Sequence, residues 1–284
     1  MMKITYLATI ALLSTVFACA DNSEVFQPDR QITYKTIGGE ELQLHAFFPE
    51  GHQGSDRRPA IVFFFGGGWK KGTPSQFFPH CEYLAKRGMV AFSADYRVTS
   101  RHGTTPKECV MDGKSALRWI RSNAAELGID PAKILAGGGS AGGQIAAAAA
   151  LTEAFNEPGE DSSVSPRPAA LVLFNPAIDN GPGGVGHERV EAYWQDFSPL
   201  HNISEGAPPT IAFLGTADKL IPVATMQDYK RRMEAVGSRC DLHLYEGKPH
   251  GFFNYRNRKL YDKTVEAMDA FLVSLGYLDA KMSR

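Results

Sequence analysis

Residues Gly137 to Gly143 read GGGSAGG, and no other stretch restricts the possible folds of this chain as strongly. The apolar run Ile134-Leu135-Ala136 leads into it, and the alanine-rich run Gln144 to Ala150 leads out. That is strand, tight glycine turn and helix, with one serine at the apex. The frame Gly138-Gly139-Ser140-Ala141-Gly142 fits the pattern in which a sharp turn lifts a hydroxyl clear of a sheet edge. Small flanking residues let such a strained backbone close. Ser140 is therefore the candidate nucleophile. Taken alone, a serine before an apolar periodic run also reads as an ordinary helix cap.

What decides between these readings is the rest of the chain, because an activated serine needs a base, an orienting acid and donors for the oxyanion. The run Pro209 to Leu214 has the character of a buried strand, and Gly215-Thr216-Ala217-Asp218 turns out of it. Asp218 is thereby placed at a strand's carboxyl end, where open α/β sheets hold their ligands. Asp241 to Tyr245 alternates like a half-exposed strand and is followed by the loop Glu246 to Phe252, which presents His250 between Pro249 and Gly251. A lone turn aspartate or loop histidine is usually unremarkable. Serine, then acid, then histidine, each at a strand end, is the chain order of one class of hydrolase. The apolar run Ile61 to Phe65 ends in Gly66-Gly67-Gly68-Trp69, so the oxyanion donors are expected to be the N–H groups of Gly67, Gly68 and Ala141, the last following the nucleophile. Asp179 and Asp196 are rival acids; Asp218 is in the expected place.

Apolar strand runs alternate with amphipathic helical runs along the chain. The expected strands are 31–36, 41–48, 60–65, 89–93, 132–136, 169–174, 209–214 and 240–245; the expected helices are 76–87, 108–127, 140–153, 222–236 and 258–275. This alternation implies an α/β fold with a mostly parallel eight-stranded sheet covered by helices on both faces. The first two strands are expected as an antiparallel hairpin, since Gly38-Gly39 leaves no room for a crossover helix. One continuous domain over 21–284 is expected, without a separate cap domain. Residues 156–168 read as a surface loop with no assigned role. Residues 179–208 read either as a wall or lid over the catalytic edge or as a packed excursion. Arg97, Asp95 and Asp112 read as structural charges.

With these segments in view, the chain resembles the esterase–lipase group of α/β-hydrolases related to hormone-sensitive lipase, and is more closely similar to small bacterial acetyl-xylan and feruloyl esterases. The resemblance rests on Phe63 to Trp69, Ala94-Asp95-Tyr96-Arg97, Gly138 to Gly143, Gly215 to Asp218 and Pro249 to Phe253. Relatives of hormone-sensitive lipase usually carry histidine before the three glycines, where this chain has Phe65; packing of Phe65 and Trp69 is expected to brace the loop instead. The resemblance implies a serine carboxylesterase acting on short acyl esters, with removal of acetyl groups from carbohydrates as the expected reaction. An arylformamidase or peptidase-like amidase on the same fold is the alternative, and a non-catalytic binding protein of this fold a more distant one.

Composition narrows the partners. With 284 residues, 43% of them hydrophobic, and a formal net charge of -1, the chain can bury a large core and lacks the basic footprint of a nucleic-acid binder. The expected partner is a small-molecule or polysaccharide ester. No cofactor is implied, and neither the cysteine spacing nor His187-Glu188 forms a metal motif. Met1-Met2-Lys3, the apolar stretch Ile4 to Ala18 and Ala18-Cys19-Ala20 read as a signal peptide over residues 1–20, implying an exported protein, periplasmic or extracellular. Val16-Phe17-Ala18-Cys19 partly resembles a lipobox, so membrane attachment through a lipidated Cys19 is the alternative. After cleavage Cys81, Cys109 and Cys240 remain, too few for a disulfide framework.

Overall fold

The structure is a computed structural model and describes residues 25–280. Residues 1–20, read from the sequence as a signal peptide, lie outside the described residues, Cys19 among them. The strands are β1 (Arg30–Ile37), β2 (Glu40–Phe47), β3 (Arg58–Phe64), β4 (Val90–Ala94), β5 (Ile129–Gly139), β6 (Leu171–Phe174), β7 (Thr210–Gly215) and β8 (Cys240–Tyr245). The longer helices are α1 (Phe78–Lys86), α3 (Pro106–Ser122), α4 (Ala141–Leu151), α7 (Val223–Ala235) and α8 (Arg258–Ser274); α2 (Thr99–His102), α5 (His187–Val190) and α6 (Trp194–Phe197) are single turns. One eight-stranded sheet runs in the order β1-β2-β4-β3-β5-β6-β7-β8. β2 pairs antiparallel with β1 and β4, and every other pair is parallel.

The period of two along each central strand explains how both faces are filled. In β3, Ala60, Val62 and Phe64 point into one core while Ile61 and Phe63 point into the other; β6 divides in the same way into Leu171 and Leu173 against Val172 and Phe174. The first core is closed by Leu117 and Ile120 of α3, Ile145 of α4 and Tyr229 and Met233 of α7. Leu84 of α1 and Met268, Phe271 and Leu272 of α8 close the second. Strands buried on both faces have no polar side to show, hence their continuous apolar runs. All eleven residues of α4 are buried, which accounts for its lack of any polar stripe.

Element ends shift where local chemistry differs from periodicity. α3 begins at Pro106 because Thr105 and Glu108 form a capping box, and ends at Ser122 rather than 127. The segment 76–87 divides into a 3-10 turn, Pro74–Phe77, and α1. Loop 156–168 is tied down by charge. Glu157 receives Lys35 and Arg97, each of which also holds Asp112, and Arg118 pairs with Glu160. The side chain of Asp112 is 0% exposed, so the structural reading of Arg97 and Asp112 holds. Cys81, Cys109 and Cys240 are free and buried. No helix among the described residues is long and apolar enough to cross a membrane.

Candidate active site

The parallel strands deliver their carboxyl ends to one edge, and the loops there form a cavity of about 410 Å³. It is lined by Gly66 to Trp69 after β3, Gly139 to Ala141 after β5, Asn175 and Ala177 after β6, Leu220 after β7, and His250, Phe253 and Arg256 after β8. Ser140 is at the turn from β5 into α4 with φ of +54° and ψ of −118°, a conformation seldom adopted by residues other than glycine. Three backbone bonds hold it there: Ser140 N–H donates to the Phe174 carbonyl at 2.9 Å, and its own carbonyl accepts Gln144 N–H at 3.0 Å and Ala177 N–H at 3.1 Å. The turn closes only because Gly142 has no side chain. A Cβ there would overlap the Phe64 and Phe65 carbonyl oxygens on the adjacent strand end.

Asp218 lies behind His250. Its Oδ2 is 2.7 Å from His250 Nδ1, and its Oδ1 accepts N–H bonds from Leu220 at 2.8 Å and Ile221 at 3.0 Å. The Asp218 side chain is 0% exposed and that of His250 is 25% exposed, so the acid is shielded while the ring faces the cavity. Burial works to raise the Asp218 pKa, but the hydrogen bonds from His250, Ile221 and Leu220 outweigh it and hold the carboxyl below its ordinary value. The carboxylate therefore stays charged against the ring. Asp179 is elsewhere, accepting Gly181 N–H and lying 4.0 Å from His201, and Asp196 is exposed on α6. Neither touches His250 Nδ1.

The glycine loop after β3 is braced more extensively than Phe65 and Trp69 alone would achieve. Phe65 stacks on Tyr96 with ring centroids 4.1 Å apart, and Tyr96 Oη donates to the Phe65 carbonyl. Gly66 N–H donates to Gln76 Oε1 at 2.7 Å, and Gln76 Nε2 donates to Asn254 Oδ1 on the histidine loop. Trp69 Nε1 donates to Gln144 on α4, and Arg189 of α5 donates to the Gly68 carbonyl. Gly67 has φ of +136°, and a Cβ there would meet the Lys71 carbonyl, so only glycine permits this path. With Gly66 N–H occupied, the N–H groups of Gly67, Gly68 and Ala141 have no acceptor among the described residues, and all three residues line the cavity.

The segment between β6 and β7 is thus partly a wall of this site: Val185 lines the cavity, and Arg189 holds the glycine loop through the Gly68 carbonyl. Sequence reasoning passed over Gln76, Arg189 and Asn175. No motif marks them, because their partners are 10, 121 and 75 residues away in the chain. Among the described residues, no group of three or more His, Cys, Asp or Glu is placed to hold a metal ion.

The chain is similar to known proteins in sequence and in fold. Residues 44–172 match the family described as BD-FAE, and residues 188–275 match the dienelactone hydrolase family. Esterase 2 of Thermogutta terrifontis, solved after phosphoramylation by tabun, is 46% identical, with 89% of this chain and 96% of that chain covered and a TM-score of 0.86. Esterase LipC of Mycobacterium tuberculosis is 31% identical over 221 residues, covering 68% of this chain and 53% of LipC. A probable isoprenylcysteine alpha-carbonyl methylesterase of Oryza sativa is 28% identical over 247 residues, covering 78% of this chain and 57% of that protein. The chain spans about half the length of these curated relatives. Its fold and its similarity over nearly the full length of the Thermogutta esterase lead to one assignment: the chain belongs to the esterases of the α/β-hydrolase family.

Proposed function

We propose that the protein is a serine carboxylesterase that cleaves short acyl esters by a two-step acyl transfer. One observation carries this reading: a buried carboxylate 2.7 Å from the Nδ1 of a histidine whose ring shares a cavity with a serine on a strained turn. In the first step Ser140 Oγ attacks the ester carbonyl while His250 Nε2 takes its proton. Asp218 keeps the ring proton on Nδ1 and stabilises the imidazolium that forms. The N–H groups of Gly67, Gly68 and Ala141 receive the oxyanion. The intermediate collapses as the imidazolium protonates the departing alcohol, and water then repeats the sequence on the acyl-enzyme.

Substrate size follows from the lining. Glycine backbone, Val185, Leu220 and Phe253 bound about 410 Å³, enough for a short acyl chain beside its alcohol. Structures of the Thermogutta esterase with propionate and with butyrate bound, and phosphorylated by paraoxon, support small acyl groups and a reactive serine by similarity. Removal of acetyl groups from carbohydrates, by an exported enzyme, is the finer form of the proposal and rests on the motif resemblance. A p-nitrophenyl ester series, with acetate release from acetylated xylan, tests both levels. Acetyl to butyryl esters should be turned over faster than octanoyl esters, and acetylated xylan should release acetate. A maximum at long acyl chains would overturn the small-acyl reading; faster anilide than ester cleavage would favour an amidase, and an inert polysaccharide would remove the carbohydrate assignment.

A further inference from the structure

Asn175 follows β6 directly and is 0% exposed, yet its side chain has no part in the core. Its backbone adopts φ of +35°, a left-handed value that asparagine tolerates better than most residues. Its side chain reaches across to the histidine loop. Oδ1 accepts Gly251 N–H at 3.0 Å, and Nδ2 lies 3.3 Å from His250 Nε2. The amide orientation is fixed by chemistry, because Gly251 N–H can only donate and so demands the oxygen. The NH2 group must then face Nε2.

The backbone around Asn175 is tied to the nucleophile. Its neighbour Phe174 accepts Ser140 N–H, Ala177 donates to the Ser140 carbonyl, and Asn175 N–H itself donates to Phe213 on β7. Asn175 is thus a short strut between the serine turn and the histidine loop. From this geometry we infer that Asn175 is a positioning residue for the base: it sets the distance between Ser140 and His250 and directs an N–H donor at His250 Nε2. The inference rests on the reading of His250 as general base.

A donor at Nε2 has a chemical consequence. It is compatible with the neutral ring, whose Nε2 accepts while Nδ1–H donates to Asp218. Once the Ser140 proton has moved to Nε2, two donors face each other and Asn175 offers the new N–H no acceptor. The proton is thereby favoured to move on to the departing alcohol oxygen rather than remain on the ring. Of the charged groups near the ring, Asp218 after β7 pairs with it and Arg256 after β8 lines the same cavity; the loops that carry Asp218 and His250 also hold Lys219, Glu246 and Lys248. From β6 and the serine turn, the cavity is faced by the uncharged Asn175, Ala177 and Ser140.

Three variants test this in the intact protein. Asn175→Gly removes the strut in a residue that accepts the backbone angle, and kcat for p-nitrophenyl acetate should fall about 10- to 100-fold with KM within roughly threefold. Asn175→Asp replaces the donor with an acceptor for the protonated ring, so the acid limb of its kcat/KM profile should move up by about one pH unit or more. His250→Ala serves as reference. An inactive His250→Ala protein alongside Asn175 variants with wild-type kcat and an unmoved acid limb would overturn the strut while leaving the base in place. An active His250→Ala protein would overturn the base assignment itself. Loss of activity in Asn175→Gly through KM alone, with the Asn175→Asp profile unmoved, would also refute the inference.

Discussion

Replacing Asp218 by Asn isolates one hydrogen bond and should inactivate the enzyme without unfolding it. In the native site Oδ1 accepts the Leu220 and Ile221 N–H groups, and Oδ2 faces His250 Nδ1 at 2.7 Å. The asparagine oxygen has two N–H donors to satisfy, so it stays on them and turns the NH2 group towards Nδ1. Nδ1 must then become the acceptor, which moves the ring proton to Nε2. A ring protonated at Nε2 cannot take the Ser140 proton. The loss expected from a trapped tautomer is about 10³- to 10⁴-fold in kcat, equivalent to roughly 4–5.5 kcal/mol of transition-state stabilisation. Stability should change by only about 1 kcal/mol, because the two backbone bonds survive. Steady-state hydrolysis of p-nitrophenyl acetate with urea unfolding of the same samples measures both quantities. Asp179→Asn and Asp196→Asn should stay within about threefold of wild type, since neither carboxylate touches the ring. Asp218→Asn activity within tenfold of wild type, or a larger loss in Asp179→Asn, would refute this assignment of the acid.

Two further predictions concern the scaffold. Gly142→Ala places a methyl against the Phe64 and Phe65 carbonyl oxygens, and should destabilise the protein by about 3 kcal/mol or more, or prevent soluble expression; an unchanged urea midpoint would contradict the packing of the turn. Lys114 is 1% exposed and donates to the Thr152 and Ala154 carbonyls at the end of α4; burial, with a smaller contribution from Arg118, pulls its pKa down to about 8. Because the folded value lies below the unfolded value of about 10.4, the unfolded chain binds more protons between them, and stability rises with pH across that window. Relative to Lys114→Met, the wild type should gain up to about 3 kcal/mol between pH 7.5 and 10.5, and a constant difference would show that Lys114 titrates normally.

The parts of this molecule that were legible in the sequence are those whose causes are local. Ile61 to Phe65 and Leu171 to Phe174 are apolar without interruption because both faces are covered, and that can be read without knowing what covers them. The serine turn is legible for the same reason: the overlaps that exclude a side chain at Gly142 arise where β5 must bend sharply into α4 beside β3. Ser140, Asp218 and His250 each end or follow a strand, so a parallel sheet brings them to one edge. What was not legible depends on the order of strands. Asn175 lies in an ordinary-looking Phe-Asn-Pro-Ala stretch, and its position gains meaning only because β6 is inserted between β5 and β7. Arg189 reads as one more charge in an irregular segment until α5 is seen against the glycine loop. Glu157 belongs to a loop whose composition suggests only solvent, yet it completes an ion cluster with Lys35, Arg97 and Asp112. Partners separated by 60 or more residues leave no periodic trace in the chain.

Covalent labelling by paraoxon tests the central claim, that Ser140 is the nucleophile, most directly. Titration of the native protein should abolish p-nitrophenyl acetate hydrolysis at one equivalent, and peptide mass spectrometry should find a diethylphosphoryl group on Ser140 and on no other residue. Ser140→Ala, folded and with the His250–Asp218 pair intact, should remain unmodified and lack hydrolysis. Stoichiometric inactivation with the phosphoryl group on a different residue, or retained turnover in Ser140→Ala, would contradict the account.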